Sequence, residues 1–503
     1  MSDVIARPAG TREWVGLGLL ALPTALLGLD VTVLYLAAPS LAADLRPSAT
    51  EMLWVMDVYG LMIAGFLITM GTLGDRIGRR RLLMIGAVAF CFASIAAAFA
   101  PDATWLIVAR ALLGVAGATL MPSTLALIGN MFADRRQRAL AIGVWATVFA
   151  LGMAAGPLVG ALLLAHFWWG SAFLVAVPLV AVLVAAAPIV LPEYKAPHEG
   201  GFDIVSVALS LAAILPIVYA VKHVAVDGID IQSLIAAVVG AGSAVLFVLR
   251  QRVLTAPLLD MTLFTSRAFT AALCVLLIGL IGVGGVMMLV TQYLQLIEGF
   301  SATESGLWMG PPAMAMFVAA IGAPLVARRA RPGVVMAVTL ALSLVGYALL
   351  ATTGAGQPIT VAVGFALVYL GLGAIAALGT DIVVGAAPPS KAGSAAAMSE
   401  MVQELGLAVG VALLGSLTTV MYRANIDIPV NTSPDVADHV REDLSSAVAV
   451  AAERGPHVVG NAHTAFMAGF NTAAVVAALA VGIVTVVCAT MLRHIRPVTN
   501  SEP

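Results

Sequence analysis

The chain has 503 residues, of which 61% are hydrophobic and 10% charged, and its mean hydropathy is +1.03. Soluble globular proteins carry about 25% charge, so most of this surface must face lipid or other apolar helices. A net charge of −2 offers nucleic acid no basic surface, and three cysteines scattered through apolar runs (Cys91, Cys274, Cys488) make neither a disulfide framework nor a metal site.

Residues 1–13 are polar and lead into the first of fourteen apolar runs, each close to the roughly 20 residues that cross a hydrocarbon core. The spans are predicted at 14–38, 52–73, 82–100, 104–128, 138–162, 167–190, 204–222, 231–250, 268–293, 304–327, 334–352, 358–384, 393–421 and 466–491. More runs of the same kind follow the first, so it reads as a retained span and not as a cleaved signal. With the N-terminus in the cytoplasm, nineteen of the 25 basic residues fall on the inner side. Five fall on the outer side, Lys222 among them, and Arg110 lies within a span. That bias predicts both termini inside.

The predicted organisation is an N-terminal six-helix half over 1–190, then a linker over 191–267 holding two extra spans. A C-terminal six-helix half follows over 268–492, including a long outer loop at 422–465, and 493–503 form a cytoplasmic tail. Residues 251–267, with Leu258, Leu259 and Phe264, are expected to lie along the inner interface.

Span one carries Leu29-Asp30-Val31-Thr32-Val33-Leu34-Tyr35-Leu36-Ala37-Ala38-Pro39. A carboxylate inside a span is expensive, and Asp30 lies about 12 Å below the outer end, too deep for a short side chain to reach water. Span two carries Trp54-Val55-Met56-Asp57-Val58-Tyr59. Asp57, about 9 Å inside that span, reads as an unpaired carboxylate among aromatic and methionine side chains, suited to a bulky cation. Gly71-Thr-Leu-Gly74-Asp75-Arg76-Ile-Gly78-Arg79-Arg80-Arg81-Leu82 is a charged, glycine-punctuated turn between spans two and three. Positive-inside bias explains its arginines but not its glycines, which let helix ends approach closely. Asp75 is expected to cap the next helix and pair with an arginine.

Arg110, about 9 Å inside span four, cannot deprotonate and needs a carboxylate or carbonyl dipoles. The expected partner is Asp30, whose protonation would release the arginine and bias a conformational equilibrium. Span five holds Gly152-Met-Ala-Ala-Gly156-Pro157-Leu-Val-Gly160-Ala161, where the glycines permit close sliding and Pro157 removes a helical hydrogen bond. Its expected place is a flexible contact between the halves. In span thirteen Glu400 and Glu404 share one helix face, a candidate proton or cation acceptor.

These motifs resemble those of the major facilitator superfamily, and in particular its fourteen-helix drug:proton antiporters. The Gly71 loop is similar to the G-x-L-A-D-R-x-G-R-R pattern, with Gly74 in the alanine place. Asp30 and its neighbours resemble L-D-x-T-x-V-N-V-A-x-P, with Tyr35 for asparagine. Leu106, Arg110, Gly114 and Gly117 resemble L-x-x-x-R-x-x-Q-G-x-G, without its glutamine. The Gly152–Ala161 stretch resembles the signature of antiporters. The resemblance implies an all-α membrane transporter of the bacterial cytoplasmic membrane, exchanging protons for lipophilic cations such as quaternary ammoniums, dyes and fluoroquinolones. It implies Asp30 and Arg110 in proton coupling and Asp57, Glu400, Glu404, Trp54 and Tyr59 at the substrate. Gly71, Gly74, Asp75, Arg76, Gly78, Arg79, Gly152, Gly156, Pro157 and Gly160 would act in conformational change. The proton gradient would replace any cofactor, and nothing in the chain demands more than a monomer. Export of an endogenous lipid or envelope precursor is the alternative within the same fold, and an integral membrane enzyme is the remote one. Against the enzyme stand seven dispersed histidines, and no Gly-x-x-x-x-Gly-Lys-Ser/Thr occurs to bind ATP.

Overall fold

Long apolar segments in lipid must satisfy their backbone groups internally, and this chain does so with helices. The computed structural model describes residues 9–195, 203–254, 257, 259, 261–387, 392–428, 437, 440, 441, 443–448 and 459–492. In chain order the helices are α1 (Thr11–Leu45), α2 (Ala49–Ile77), α3 (Arg79–Ala98), α4 (Ala103–Met131), α5 (Arg135–His166), α6 (Ser171–Leu174) and α7 (Ala176–Val190). Then come α8 (Ile204–Asp227), α9 (Ile231–Val253), α10 (Arg267–Gln292), α11 (Ala302–Trp308), α12 (Gly310–Ala327), α13 (Pro332–Ala351), α14 (Pro358–Gly385), α15 (Ala392–Asn425) and α16 (Val459–Met491). Among the described residues thirteen helical segments are long and apolar enough to span a membrane, and α5 makes fourteen when its two arms, bent by 41°, count as one.

Short polar residues start many of these helices. Ser48, Asp102, Asp134, Asp203, Asp230, Ser266 and Ser301 each accept a backbone N–H of the first turn. The segment expected along the interface holds one short 3-10 turn, Met261–Thr265, with Leu263 buried.

Helices α1–α7 pack on one another, as do α10–α16, while α8 and α9 form a hairpin outside both groups. Only α8 of that hairpin touches the bundle broadly, lying on α2 and α15 where the groups meet. The start of α1 hydrogen-bonds to the end of α7 through Arg12, and Gly333 at the start of α13 packs on Leu492. Leu53 lies beside Gly415 and Gly60 beside Ala408, so α2 and α15 run antiparallel. The start of α1 and the end of α16 therefore lie at one end of the bundle, called here the terminal end. At the far end the groups touch: Gln295 Nε2 donates to the Leu36 carbonyl at 3.1 Å, and Gly306 of α11 sits against Pro157 and Ala161 of α5.

Candidate functional site

Arg110 lies two turns into α4 and is 2% exposed. A buried guanidinium must place its donors, and this one does so on two neighbouring helices. Its Nη1 donates to Asp30 Oδ2 at 2.9 Å, its Nε to the Val55 carbonyl at 3.1 Å and its Nη2 to the Met56 carbonyl at 3.5 Å. The guanidinium carbon stands 4.7 Å from the Tyr59 ring centre and 5.9 Å from that of Phe173. The expected Asp30–Arg110 pair is present and ties α1, α4 and α2 together. Tyr59 belongs to this cluster, and its buried hydroxyl has no hydrogen-bond partner.

Asp57 is not the unpaired carboxylate expected from the sequence. Lys222 Nζ donates to its Oδ1 at 2.8 Å, and both side chains are fully buried. The ammonium also lies 3.7 Å from the centre of the Trp54 ring. The sequence reading ended that span at Lys222 and put its charge on the outer side. Instead α8 continues to Asp227, and the lysine points inward against α2. A lysine five residues short of the Asp-Gly stop at 227–228 is the signal that was available. Asp57 Oδ2 accepts no hydrogen bond.

A buried carboxylate without a counter-ion among the described residues is Glu404. It is 4% exposed and makes no ion pair or hydrogen bond with any described residue. It faces Gly60 of α2, where an added Cβ would lie 3.4 Å from the Glu404 carbonyl oxygen and 3.7 Å from Oε2. Glycine at 60 thus admits α15 and its carboxylate to the seam between the two helix groups. Glu400, one turn earlier and half-buried, likewise has no counter-ion among the described residues. Ser399 and Gln403 of the same stretch bond with Thr380 of α14. The cluster therefore holds Asp30, Asp57 and Glu404 buried, with cations beside the first two only.

In the Gly71 loop, α2 stops at Gly78, whose φ of +112° disfavours a side chain. A Cβ there would also meet the Glu193 carboxylate, and one at Gly74 would press on Arg79. Glu193 Oε1 accepts the Arg80 backbone N–H at 3.1 Å and so caps α3, the role expected of Asp75. Its Oε2 lies 3.7 Å from Nε of Arg80 and of Arg81. The Asp75 side chain lies outside the described residues. Arg79 is buried and reaches the Pro122 carbonyl at 3.4 Å, Arg76 is exposed, and Gly71 has ordinary spacing to Pro122. Nothing in the sequence around Glu193, at the start of the linker, marks it for this role.

The span-five motif was expected at a contact between the halves, and most of it packs within one. Gly152 lies against Ala25, Gly156 against Thr32 and Gly160 against Val33, all on α1. Pro157 and Ala161 reach the second group, at Gly306. Pro157 cannot donate to the Met153 carbonyl one turn back. Thr32 Oγ1 donates to that oxygen at 2.9 Å, close to where α5 bends.

Residues 20–411 match the model of the Major Facilitator Superfamily. The chain belongs to that superfamily. This facilitator is 42% identical over 476 residues to the multidrug efflux pump LfrA of Mycolicibacterium smegmatis, covering 94% of each chain. It is 35% identical to the methyl viologen resistance protein SmvA of Salmonella typhimurium, covering 88% of this chain and 89% of that one. Among solved structures it resembles a bacterial homolog of the human lysosomal transporter Spinster in an inward-facing conformation, with a TM-score of 0.64 at 15% identity over 96% of this chain and 98% of that one. It is thus a transporter and not an enzyme, a multi-pass protein of the bacterial inner membrane.

Proposed function

We propose that this facilitator exports lipophilic cations of several structures in exchange for protons, by rocking one helix group against the other. The observation that carries the reading is Glu404: a buried carboxylate at the seam, without a counter-ion, while Arg110 and Lys222 stand beside Asp30 and Asp57. Burying an unpaired charge is costly, so such a group favours a bound proton or a bound cation. Alternation between those two ligands is proton antiport. The name of LfrA, a multidrug efflux pump, supports several substrates, and that of SmvA, a methyl viologen resistance protein, supports cations among them. Asp30 is the second coupling group: protonating it removes the charge that holds Arg110, and Arg110 in turn grips the α2 backbone. The terminal end, rich in arginine, faces the cytoplasm in this reading.

The test is ethidium uptake into inverted vesicles under an imposed proton gradient. Wild-type protein is expected to take up dye until a protonophore is added, and Glu404→Gln to lose at least tenfold of that rate. Undiminished uptake by Glu404→Gln would sink the assignment of Glu404, and absence of uptake by wild type would sink cation export.

A further inference from the structure

A single carboxylate beside one aromatic face is the minimal receptor for an ammonium ion. Asp57 and Trp54 make that receptor on α2, and it already holds an ammonium, that of Lys222. The occupant comes from α8, which belongs to neither helix group and lies across their seam on α2 and α15. It fills the receptor incompletely, since Asp57 Oδ2 is buried and receives no hydrogen bond from the described residues. The rest of α8 is held to the bundle by apolar contact, such as Leu211 against Gly65. We propose that Lys222 is a tethered, displaceable ligand: a lipophilic cation entering the Asp57–Trp54 site expels the lysine head, so α8 reports and regulates occupancy. This rests on the cation reading above and adds to it the identity of the competitor.

The physics is that of an intramolecular inhibitor. A tethered group competes at a fixed effective concentration, and the apparent affinity for the free ligand drops by the occupied fraction. Lysine is a good choice for such a plug, because its flexible stem lets the head leave without moving the helix far. An entering cation also restores the charge balance of Asp57, so the carboxylate is never left bare.

Equilibrium binding of ethidium and of tetraphenylphosphonium to the purified full-length protein tests the idea. Lys222→Met is expected to bind both roughly tenfold more tightly than wild type, and Asp57→Asn more weakly. The double variant Asp57→Asn/Lys222→Met removes both buried charges and should bind like Asp57→Asn. Equal or weaker binding by a folded Lys222→Met overturns the proposal and leaves cation export standing, whereas wild-type protein that binds neither probe overturns both. Because Lys222→Met strands a buried carboxylate and costs stability, acetylation of Lys222 in wild-type protein, read by mass spectrometry, is the second measurement. Labelling should rise severalfold when tetraphenylphosphonium is added, and labelling unchanged at saturating probe overturns displacement.

Discussion

Pro157 leaves the Met153 carbonyl without its helical donor, and the Thr32 hydroxyl two residues from Asp30 supplies one. A buried carbonyl stripped of its partner costs about 1–3 kcal/mol. Thr32→Val, which keeps the shape and removes the donor, is therefore expected to lower the thermal unfolding midpoint in detergent by several degrees, with Thr32→Ser recovering most of it. The same threonine was visible in the sequence only as a motif letter. Asp30 and Arg110 were legible because an ionisable side chain within a span must find a partner. Lys222 was not, because a boundary error of a few residues moves a charge from buried to exposed. Glu193 was hidden for another reason: its role depends on the end of α7 returning beside the start of α3, which no local pattern announces.

At the scale of elements the reading was strongest in existence and weakest in extent. Helix α1 runs from Thr11 to Leu45, well past the apolar stretch at 14–38, and closes at Arg46, whose left-handed backbone donates its N–H to the Ala42 carbonyl. The α8–α9 hairpin is fastened at the terminal end by Arg250, which grips Asp203 through Nη2 at 2.8 Å and Nε at 3.2 Å. Burial pushes the Asp203 carboxyl up, but the Arg250 and Ser206 hydrogen bonds outweigh it and hold the group down at about 2. A carboxyl with a depressed folded value contributes its stability in full above its ordinary value of 3.8 and loses it as pH falls toward 2. Hydrogen exchange at the N-terminal turn of α8 is thus expected to stay slow between pH 7 and 5 and to accelerate below about 4, allowing for the intrinsic pH dependence. Asp203→Asn should show fast exchange at both. A pH-independent difference between the two proteins would assign that turn's stability to another contact.

At the far end the two helix groups meet through backbone, with Gly306 of α11 against the Pro157 carbonyl of α5. An added Cβ at Gly306 would stand 2.7 Å from that oxygen, so Gly306→Val should hold the far end apart. The expected outcome is ethidium transport reduced at least tenfold in a protein that still elutes as a folded species. Transport at the wild-type rate would mean that closure does not need this contact. The two-group architecture was legible from span counting, but the far-end contact was not, since it depends on which residues of different groups meet.

Glu400 and Glu404 have a further consequence, for the electrical side of exchange. Two carboxylates lacking counter-ions are neutralised by two protons, by one proton with a monovalent cation, or by one divalent cation. If the proposed proton exchange is completed at these two carboxylates, swapping any of these ligands for another leaves the pair with the same charge, and export of either valence would move no net charge across the bilayer. Ethidium and a divalent organic cation should both be driven by a pH difference, lost when nigericin dissipates it. A potential set by valinomycin and potassium should leave both rates unchanged. A rate that follows the voltage would bring a third titrating carboxylate, Asp30, into the exchange, and the pump would then draw on the membrane potential as well as on acidity.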